Sequence, residues 1–268
     1  MDLQFPVTKL AVDESLVLIS RRVMLSGLAA AGTAIAGCSR LDDKTPFKQL
    51  LGVSDVLTLR AQRLLLTTRP LVREFSLSQL SATFPINGTS MPPGDDYKRL
   101  VDSEFRDWKL KVHGLVNRPI ALTLAQIQAL PSRTQITMHT CDEGWSAIGQ
   151  WTGVPLARVL ALAGPKSDAR YVVFHCLDKI NIDDNYYYES LDLFDALHPQ
   201  TILAYGMNGK PLPIGHGAPL RLRVELQIGY KNAKYVDRIE VVDRLDAIGK
   251  GRGGWWEDFD KAVWYAGQ

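Results

Sequence analysis

Cys141-Asp142-Glu143-Gly144-Trp145-Ser146, followed by Trp151-Thr152-Gly153-Val154-Pro155-Leu156, is the stretch from which the rest of the chain can be read. A strand is expected over Gln135 to His139, leading into the cysteine. Pro155 stands near the start of a helix expected over 155–163, and Gly164 follows its end. That is the usual asymmetry, since a first-turn proline lacks only an N–H that would be unpaired and a terminal glycine can turn left-handed. Upstream, Trp108 to Gly114 alternates apolar and polar residues, the period of a half-buried strand. Thr123 to Gln126 has the capping-box spacing and opens a short helix that ends before Pro131. Downstream, Arg170 to Cys176 reads as a buried strand, Leu191 to Leu197 as a short helix, and Asn208-Gly209 as a turn. Leu220 to Leu226 and Lys234 to Val242 read as strands.

Ser54 to Leu80 is helical by pattern with a break at Pro70, and residues 81–97 are loop. Short helices interleave with short strands, without the regular alternation of a doubly wound sheet. The expected fold class is therefore α+β: one domain of mixed sheets with short helices over 81–268, behind lead-in helices over 38–80.

Composition excludes several classes. The chain has 268 residues, 46% hydrophobic and 22% charged, which is too apolar for disorder. Lys and Arg number 31 against 29 Asp and Glu, a formal +2. That near-balance gives no reason to expect nucleic-acid binding. No run of about 20 residues is apolar enough for a confident membrane span.

The first forty residues read as an address. Ser20-Arg21-Arg22-Val23-Met24-Leu25 precedes an uncharged, Ala/Gly-rich stretch from Ser26 to Gly37, the pattern of a twin-arginine export signal over 1–37. Such a route carries folded proteins, which suits a cofactor inserted before export, and it implies the periplasm. Ile35-Ala36-Gly37-Cys38 resembles a lipobox. Cys38 is then either lipid-modified, anchoring the chain to a membrane, or removed with the leader. In an oxidising compartment the remaining Cys141 and Cys176 would by default form a disulfide.

Other motifs fail on context. Gly249-Lys250-Gly251-Arg252-Gly253-Gly254 matches a dinucleotide-binding spacing but lacks the strand, helix and second strand that such a site needs. Gly144-Trp145-Ser146-Ala147-Ile148-Gly149 misses the nucleophile-elbow spacing by one residue. His139, Cys141, His175, Cys176, His198 and His216 have no zinc-type spacing.

The cysteine segment resembles that of the sulfite oxidase superfamily of molybdenum enzymes. Tyr171 to Cys176, His198 through Tyr205-Gly206 to His216-Gly217-Ala218-Pro219-Leu220-Arg221, and Gly229 to Lys234 agree with it in order and spacing. Together they cover about residues 80–245, and the pattern is closest to the periplasmic branch that reduces methionine sulfoxide. The resemblance implies a sulfite-oxidase-type molybdopterin-binding fold with a Mo-molybdopterin cofactor. It implies Cys141 as the metal's ligand: a soft thiolate suits such a metal, which itself keeps the thiol deprotonated, and a disulfide with Cys176 would consume that ligand. It places His216, Arg221, Asn232, Ala233 (through its backbone) and Lys234 around the pterin phosphate. Ser81, Phe84 and Cys176 stand at further cofactor positions. There the chain departs from the family, with Ser81 for Asn, Phe84-Pro85 for Tyr-Glu, Cys176 for Thr and His216 for Asn.

Substrate charge separates oxidation of sulfite from reduction of an oxide. Sulfite oxidases hold their dianion with arginines, some soon after the cysteine, whereas Asp142 and Glu143 follow it here. A carboxylate about 5 Å from an anion costs on the order of 3 kcal/mol at an effective dielectric near 20. A neutral S-oxide or N-oxide, small or protein-bound, carries no such penalty, and Glu143 is then a candidate proton donor. The alternatives are a sulfite-oxidising enzyme of the same fold and a non-catalytic exported pterin-fold binding protein. The chain has no haem-attachment or iron–sulfur cysteine set, so a separate electron-transfer partner is expected, such as a membrane haem protein. The aromatic tail, Trp255-Trp256 and Trp264-Tyr265, either docks that partner or pins itself to the domain.

Overall fold

The computed structural model describes residues 71–180, 185–260 and 262–267, all within the unit Ala61–Gln268. The leader over 1–37, Cys38 and the helical pattern from Ser54 to Pro70 lie outside the described residues. From 71 to 76 the chain is extended, and one 3-10 turn follows at Leu77–Gln79. The expected helix is absent from 71–80 because its backbone groups are taken elsewhere. Val72 N–H donates to Gln200 Oε1 at 2.8 Å, Gln200 Nε2 donates back to Val72 O, and Phe75 N–H donates to Ile136 O. Once paired across the domain, these groups gain nothing from helix formation.

Helix α1 (Asp95–Asp102) leads into β1 (Lys109–Gly114), β2 (Ile120–Thr123) and α2 (Leu124–Gln128). Strands β3 (Arg133–Thr140) and β4 (Ser146–Pro155) flank the cysteine turn, followed by α3 (Leu156–Ala163), β5 (Tyr171–Lys179), β6 (Tyr186–Asp192) and α4 (Leu193–Ala196). The chain continues through β7 (Ile202–Met207), β8 (Lys210–Pro211), β9 (Arg221–Arg223) and β10 (Val236–Val242) to α5 (Trp255–Phe259). One five-stranded sheet runs β2-β1-β10-β5-β6, and a second runs β3-β4-β7-β8 with β9 also on β7. β1 and β10 pair in parallel, while the other ladders are antiparallel. The architecture is thus the expected α+β of mixed sheets with few short helices.

Local chemistry sets the joints. Thr123 Oγ1 accepts from Gln126 N–H while Gln126 Oε1 accepts from Thr123 N–H, completing the capping box of α2. Gly164, at φ 67°, closes α3. Asn208 and Gly209, both at positive φ, make the two-residue turn between β7 and β8.

One buried cluster joins the sheets. Leu110 and Val112 of β1, Phe174 of β5 and Ile239 of β10 share it with Val154, Leu203 and Leu222 of the second sheet. At about 1.5–3 kcal/mol per fully buried aliphatic side chain, this contact is the main force holding the layers together. No described helix is long and apolar enough to cross a membrane.

Several expected boundaries shift: α1 begins at Asp95, inside the stretch read as loop, and β10 begins at Val236 instead of Lys234. The strand read over Leu220 to Leu226 contracts to β9, because Val224 N–H is captured by Asn232 Oδ1 at 2.9 Å and leaves the ladder. The helix read from Leu191 begins only at Leu193, since Leu191 and Asp192 still pair with β5. The aromatic tail is pinned: Trp255 is buried in the main core.

Candidate active site

β3 is built inside out. Its buried positions are Gln135, Thr137 and His139, whereas Met138 on the other face is 44% exposed. This polar inner face runs directly into Cys141, which is 5% exposed. A tight turn fixes the cysteine: Cys141 N–H donates to Trp145 O at 2.9 Å and Gly144 N–H donates to Cys141 O at 3.1 Å. Gly144, at φ 88°, supplies the left-handed step. Opposite, a Cβ on Gly229 would lie 3.1 Å from Cys141 Sγ, so a side chain there would press on the thiol by a few tenths of an ångström. Burial pushes the Cys141 thiol up to about 11, the Glu143 backbone N–H pulls it down, and the Asp142 carboxylate raises it again. As a bare side chain it is a protonated thiol at neutral pH. Only a strong positive charge, such as a metal, would make it a thiolate there.

Cations stand nearby. Arg221 is fully buried on β9, and its charge acts on Cys141. Burial first, and the neighbouring Arg223 second, push it down to about 9, so it remains cationic at neutral pH. Lys234 sits just before β10, where Tyr235 takes the left-handed φ of 55°, a rare state for an aromatic residue. Burial and then the Arg221 charge push Lys234 down to about 7, against the pull of Asp178. Its ammonium donates to the carbonyls of Asn87 (2.6 Å), Thr89 and Gly215 (3.0 Å). Arg221 also donates to Asn87 Oδ1 at 3.3 Å. Asn87, unmarked in the sequence reading, therefore ties both cations to one loop.

Phe84 is the hub of the aromatic wall. Its ring centroid lies 5.3–5.8 Å from those of His139, Trp145, Trp151 and His216. Arg221 and Arg223 both lie over the Trp151 ring, at 5.2 and 4.5 Å, a stabilising cation–π arrangement. Arg223 donates to both oxygens of Glu225 and, at 2.7 Å, contacts His139 Nδ1. Arginine can only donate, so His139 Nδ1 accepts and its proton is assigned to Nε2. Burial, reinforced by Arg223 and Arg221, holds His139 far below the usual histidine range. His216, lowered to about 4 by burial and then Arg221, is likewise neutral. Four buried nitrogens here have no hydrogen-bond partner: His139 Nε2, Trp151 Nε1, His216 Nδ1 and Arg221 Nε.

The remaining nominated residues are placed differently. Ser81 is committed to β4, accepting from Ile148 N–H with its hydroxyl and donating its own N–H to Ile148 O. Asn232 spends its side chain on Val224 N–H and on the carbonyls of Gln227 and Ile228. Ala233 O accepts from Leu222 N–H. Cys176 lies in the main core on β5 and lines a separate groove with Tyr97 and Arg238. Cys141 and Cys176 are both free thiols, so the default disulfide does not form. Among the described residues no three His, Cys, Asp or Glu side chains group as a metal-ion site.

A cleft is lined by Asp142 and Glu143, which directly follow Cys141 in the chain, together with Lys234, Asp178, Tyr230 and Trp256. Glu143 accepts from Gly88 N–H at 3.1 Å and from Trp145 Nε1 at 3.0 Å. The loop that binds both cations is thereby clamped to the cysteine turn as well.

A family model described as oxidoreductase molybdopterin binding domain matches residues 98–247. A protein of Azospira oryzae, provisionally named protein-methionine-sulfoxide reductase subunit YedZ1, is 38% identical over 240 residues, 90% of this chain and 83% of that one. The protein-methionine-sulfoxide reductase catalytic subunit MsrP of Xanthomonas axonopodis is 31% identical over 245 residues, 87% of this chain and 73% of that one. Among solved structures, the sulfane dehydrogenase SoxCD of Paracoccus pantotrophus aligns with a TM-score of 0.48 at 23% identity, over 56% of this chain and 45% of that one. A thiol presented beside paired buried cations, on a chain matched by that family model over more than half its length, belongs to the oxidoreductase molybdopterin-binding domain family.

Proposed function

We propose that this chain is the catalytic subunit of an exported molybdenum oxidoreductase that removes oxygen from a neutral S-oxide, with methionine sulfoxide the favoured substrate. The names of its relatives support that substrate, and the twin-arginine pattern supports periplasmic export. The observation that carries the neutral substrate is the exposed pair Asp142 and Glu143 at the rim of the cleft. Lys234 offsets them only in part, because its charge is shared between Glu143 and Asp178, and burial and Arg221 push it down to about 7. An incoming dianion would be repelled by these two exposed carboxylates, whereas a neutral sulfoxide carries no such Coulomb cost.

The chain's own groups fit a phosphate-bearing pterin with a thiolate-bound metal. A thiol, two buried cations and buried N–H groups on His139, Trp151 and Arg221 that find no acceptor form a donor set for an acceptor-rich anion. In this reading Cys141 ligates the metal, and Arg221, Lys234, His216 and the backbone at Ala233 hold the pterin and its phosphate. Phe84 walls the ring and Asn232 lines the cleft, while Ser81 supports the site only through β4 and Cys176 only from the core beside a separate groove. When bound, the molybdenum cofactor supplies a two-electron centre able to accept an oxygen atom. Glu143 holds the loop over Arg221 and Lys234 and presents a carboxyl for proton delivery at the cleft. Tyr230 and Trp256 give the cleft an apolar wall for the substrate's carbon groups. A separate redox subunit supplies electrons, in line with the naming of the MsrP relative as a catalytic subunit.

The test is molybdenum content together with turnover of methionine sulfoxide and of sulfite, using dye donors and acceptors. About one metal per chain with sulfoxide reduction, both lost in Cys141→Ser, is the expected result. Sulfite oxidation without sulfoxide reduction overturns the substrate, and full activity in Cys141→Ser overturns the site.

A further inference from the structure

Reducing a sulfoxide breaks one S–O bond, returns an electron pair to sulfur and forms two O–H bonds as water leaves. The redox subunit supplies the two electrons, so two protons must reach the departing oxygen from groups along the cleft. Glu143 is poorly free to provide both, because each of its oxygens already accepts an N–H, from Gly88 and from Trp145. A second carboxyl lines the same cleft. Asp178, near the end of β5, is 4% exposed, and its Oδ1 has no hydrogen-bond partner. An unpaired buried carboxyl oxygen is unfavourable, a penalty that a substrate or ordered water at that atom would relieve.

We propose that Asp178 is a catalytic acid of this enzyme, passing the second proton to the oxygen that leaves as water. The inference rests on the sulfoxide reading above. Lys234 faces Asp178 as a charge, not as a hydrogen-bond donor, since its ammonium is directed at Asn87, Thr89 and Gly215. The other groups that act on Asp178 or feel it are Tyr97 from α1, Tyr187 from β6, Tyr235 beside Lys234, Cys176 on its own strand and the Thr89 hydroxyl. None of the tyrosines or the buried thiol ionises near neutrality, since burial raises each of them. Burial likewise pushes Asp178 up to about 6, and Lys234 pulls it back. A carboxyl in that range is protonated on the acid side of neutrality and releases its proton readily, the balance a general acid needs.

The experiment compares the molybdenum-loaded wild type with D178N and D178E, each normalised to bound metal. With methionine sulfoxide and a dye reductant, wild-type kcat/KM is expected to fall as pH rises through about 6. D178N is expected to keep its molybdenum, lose about a hundredfold in kcat/KM and lose that pH limb, with D178E restoring part of both. Infrared difference spectra should show a protonated carboxyl band below about pH 5, gone above about pH 8 and missing from D178N. Wild-type activity per metal in D178N, or molybdenum loss that accounts for its deficit with the pH limb intact, overturns Asp178 as an acid and leaves the sulfoxide reading standing. A loaded wild type that does not reduce methionine sulfoxide at all fails the sulfoxide reading and takes the Asp178 assignment with it.

Discussion

Gly229 lets the backbone pass where a side chain would press on the Cys141 turn. A methyl group there would sit 3.0 Å from Cys141 Cα and from Asp142 Oδ1, and 3.1 Å from Sγ. Two of those atoms belong to a turn held by its own backbone hydrogen bonds, so the strain falls on the thiol's position. The fold has other supports, and the Gly229 backbone itself is unstrained, being absent from the positive-φ residues. Gly229→Ala is therefore expected to leave circular dichroism unchanged while lowering molybdenum per chain by more than half. Metal analysis of the purified variant checks this, and full occupancy would mean the cysteine turn can retreat at no cost. The same scale explains why Asp142 and Glu143 matter. Both are exposed and line the cleft, and Glu143 also accepts from Gly88 N–H and Trp145 Nε1.

At the scale of elements, α5 and the segment before it close one wall of the cleft, and a buried ion cluster holds them. Lys231, 0% exposed, donates to Glu189 of β6 and, at 2.8 Å, to Glu257 of α5. Burial works against the Lys231 charge, but the two carboxylates overcome it, while burial and the Glu257 charge push Glu189 upward. Lys231→Met would leave two buried carboxylates facing each other, a loss of about 3–5 kcal/mol for breaking such a group. Urea unfolding should show it as a lower midpoint with an unchanged slope. Lys231→Met combined with Glu189→Gln and Glu257→Gln should recover part of the loss, because no uncompensated charge then remains.

Elements also show what could be read from sequence. The Thr123 capping box, the Pro155 and Gly164 bounds of α3 and the Asn208-Gly209 turn were legible because each is decided by its own backbone chemistry. β4 was not anticipated as a strand, since Gly149 and Gly153 argue against one. In the structure Gly153 is required, as a Cβ there would lie 2.2 Å from Leu203 O. Cys141, Arg221 and Lys234 were legible as a set through their motif spacing. Asn87, His139, Arg223 and Asp178 were not, because their contacts come from hydrogen-bond partners 84–147 residues away or from burial that only the assembled sheets create. One usable signal existed: Gln135, Thr137, His139 and Cys141 share a parity, so a strand with its polar side inward was readable beside the motif.

Across the whole molecule the charge is nearly balanced, at +2, yet cations crowd one buried place. Glu225 compensates Arg223, whereas the Arg221 charge pushes Lys234 down, and Arg223 does the same to Arg221. The domain thus carries local self-repulsion that folding alone does not relieve and that a bound phosphate would. A ligand that binds only the folded state at a thousandfold excess over its Kd adds about 4 kcal/mol of stability. For a domain of this size that corresponds to a rise in Tm of roughly 8–16 °C. Protein from a host unable to make molybdopterin should therefore melt that much earlier than protein from a competent host, in the same buffer and at the same pH. Millimolar inorganic phosphate should recover a small part of the difference in the cofactor-free protein and none in Arg221→Ala. Equal melting temperatures for the two preparations, with molybdenum confirmed in one of them, would show that the cations are neutralised in some other way and that Arg221 and Lys234 do not hold the cofactor's phosphate.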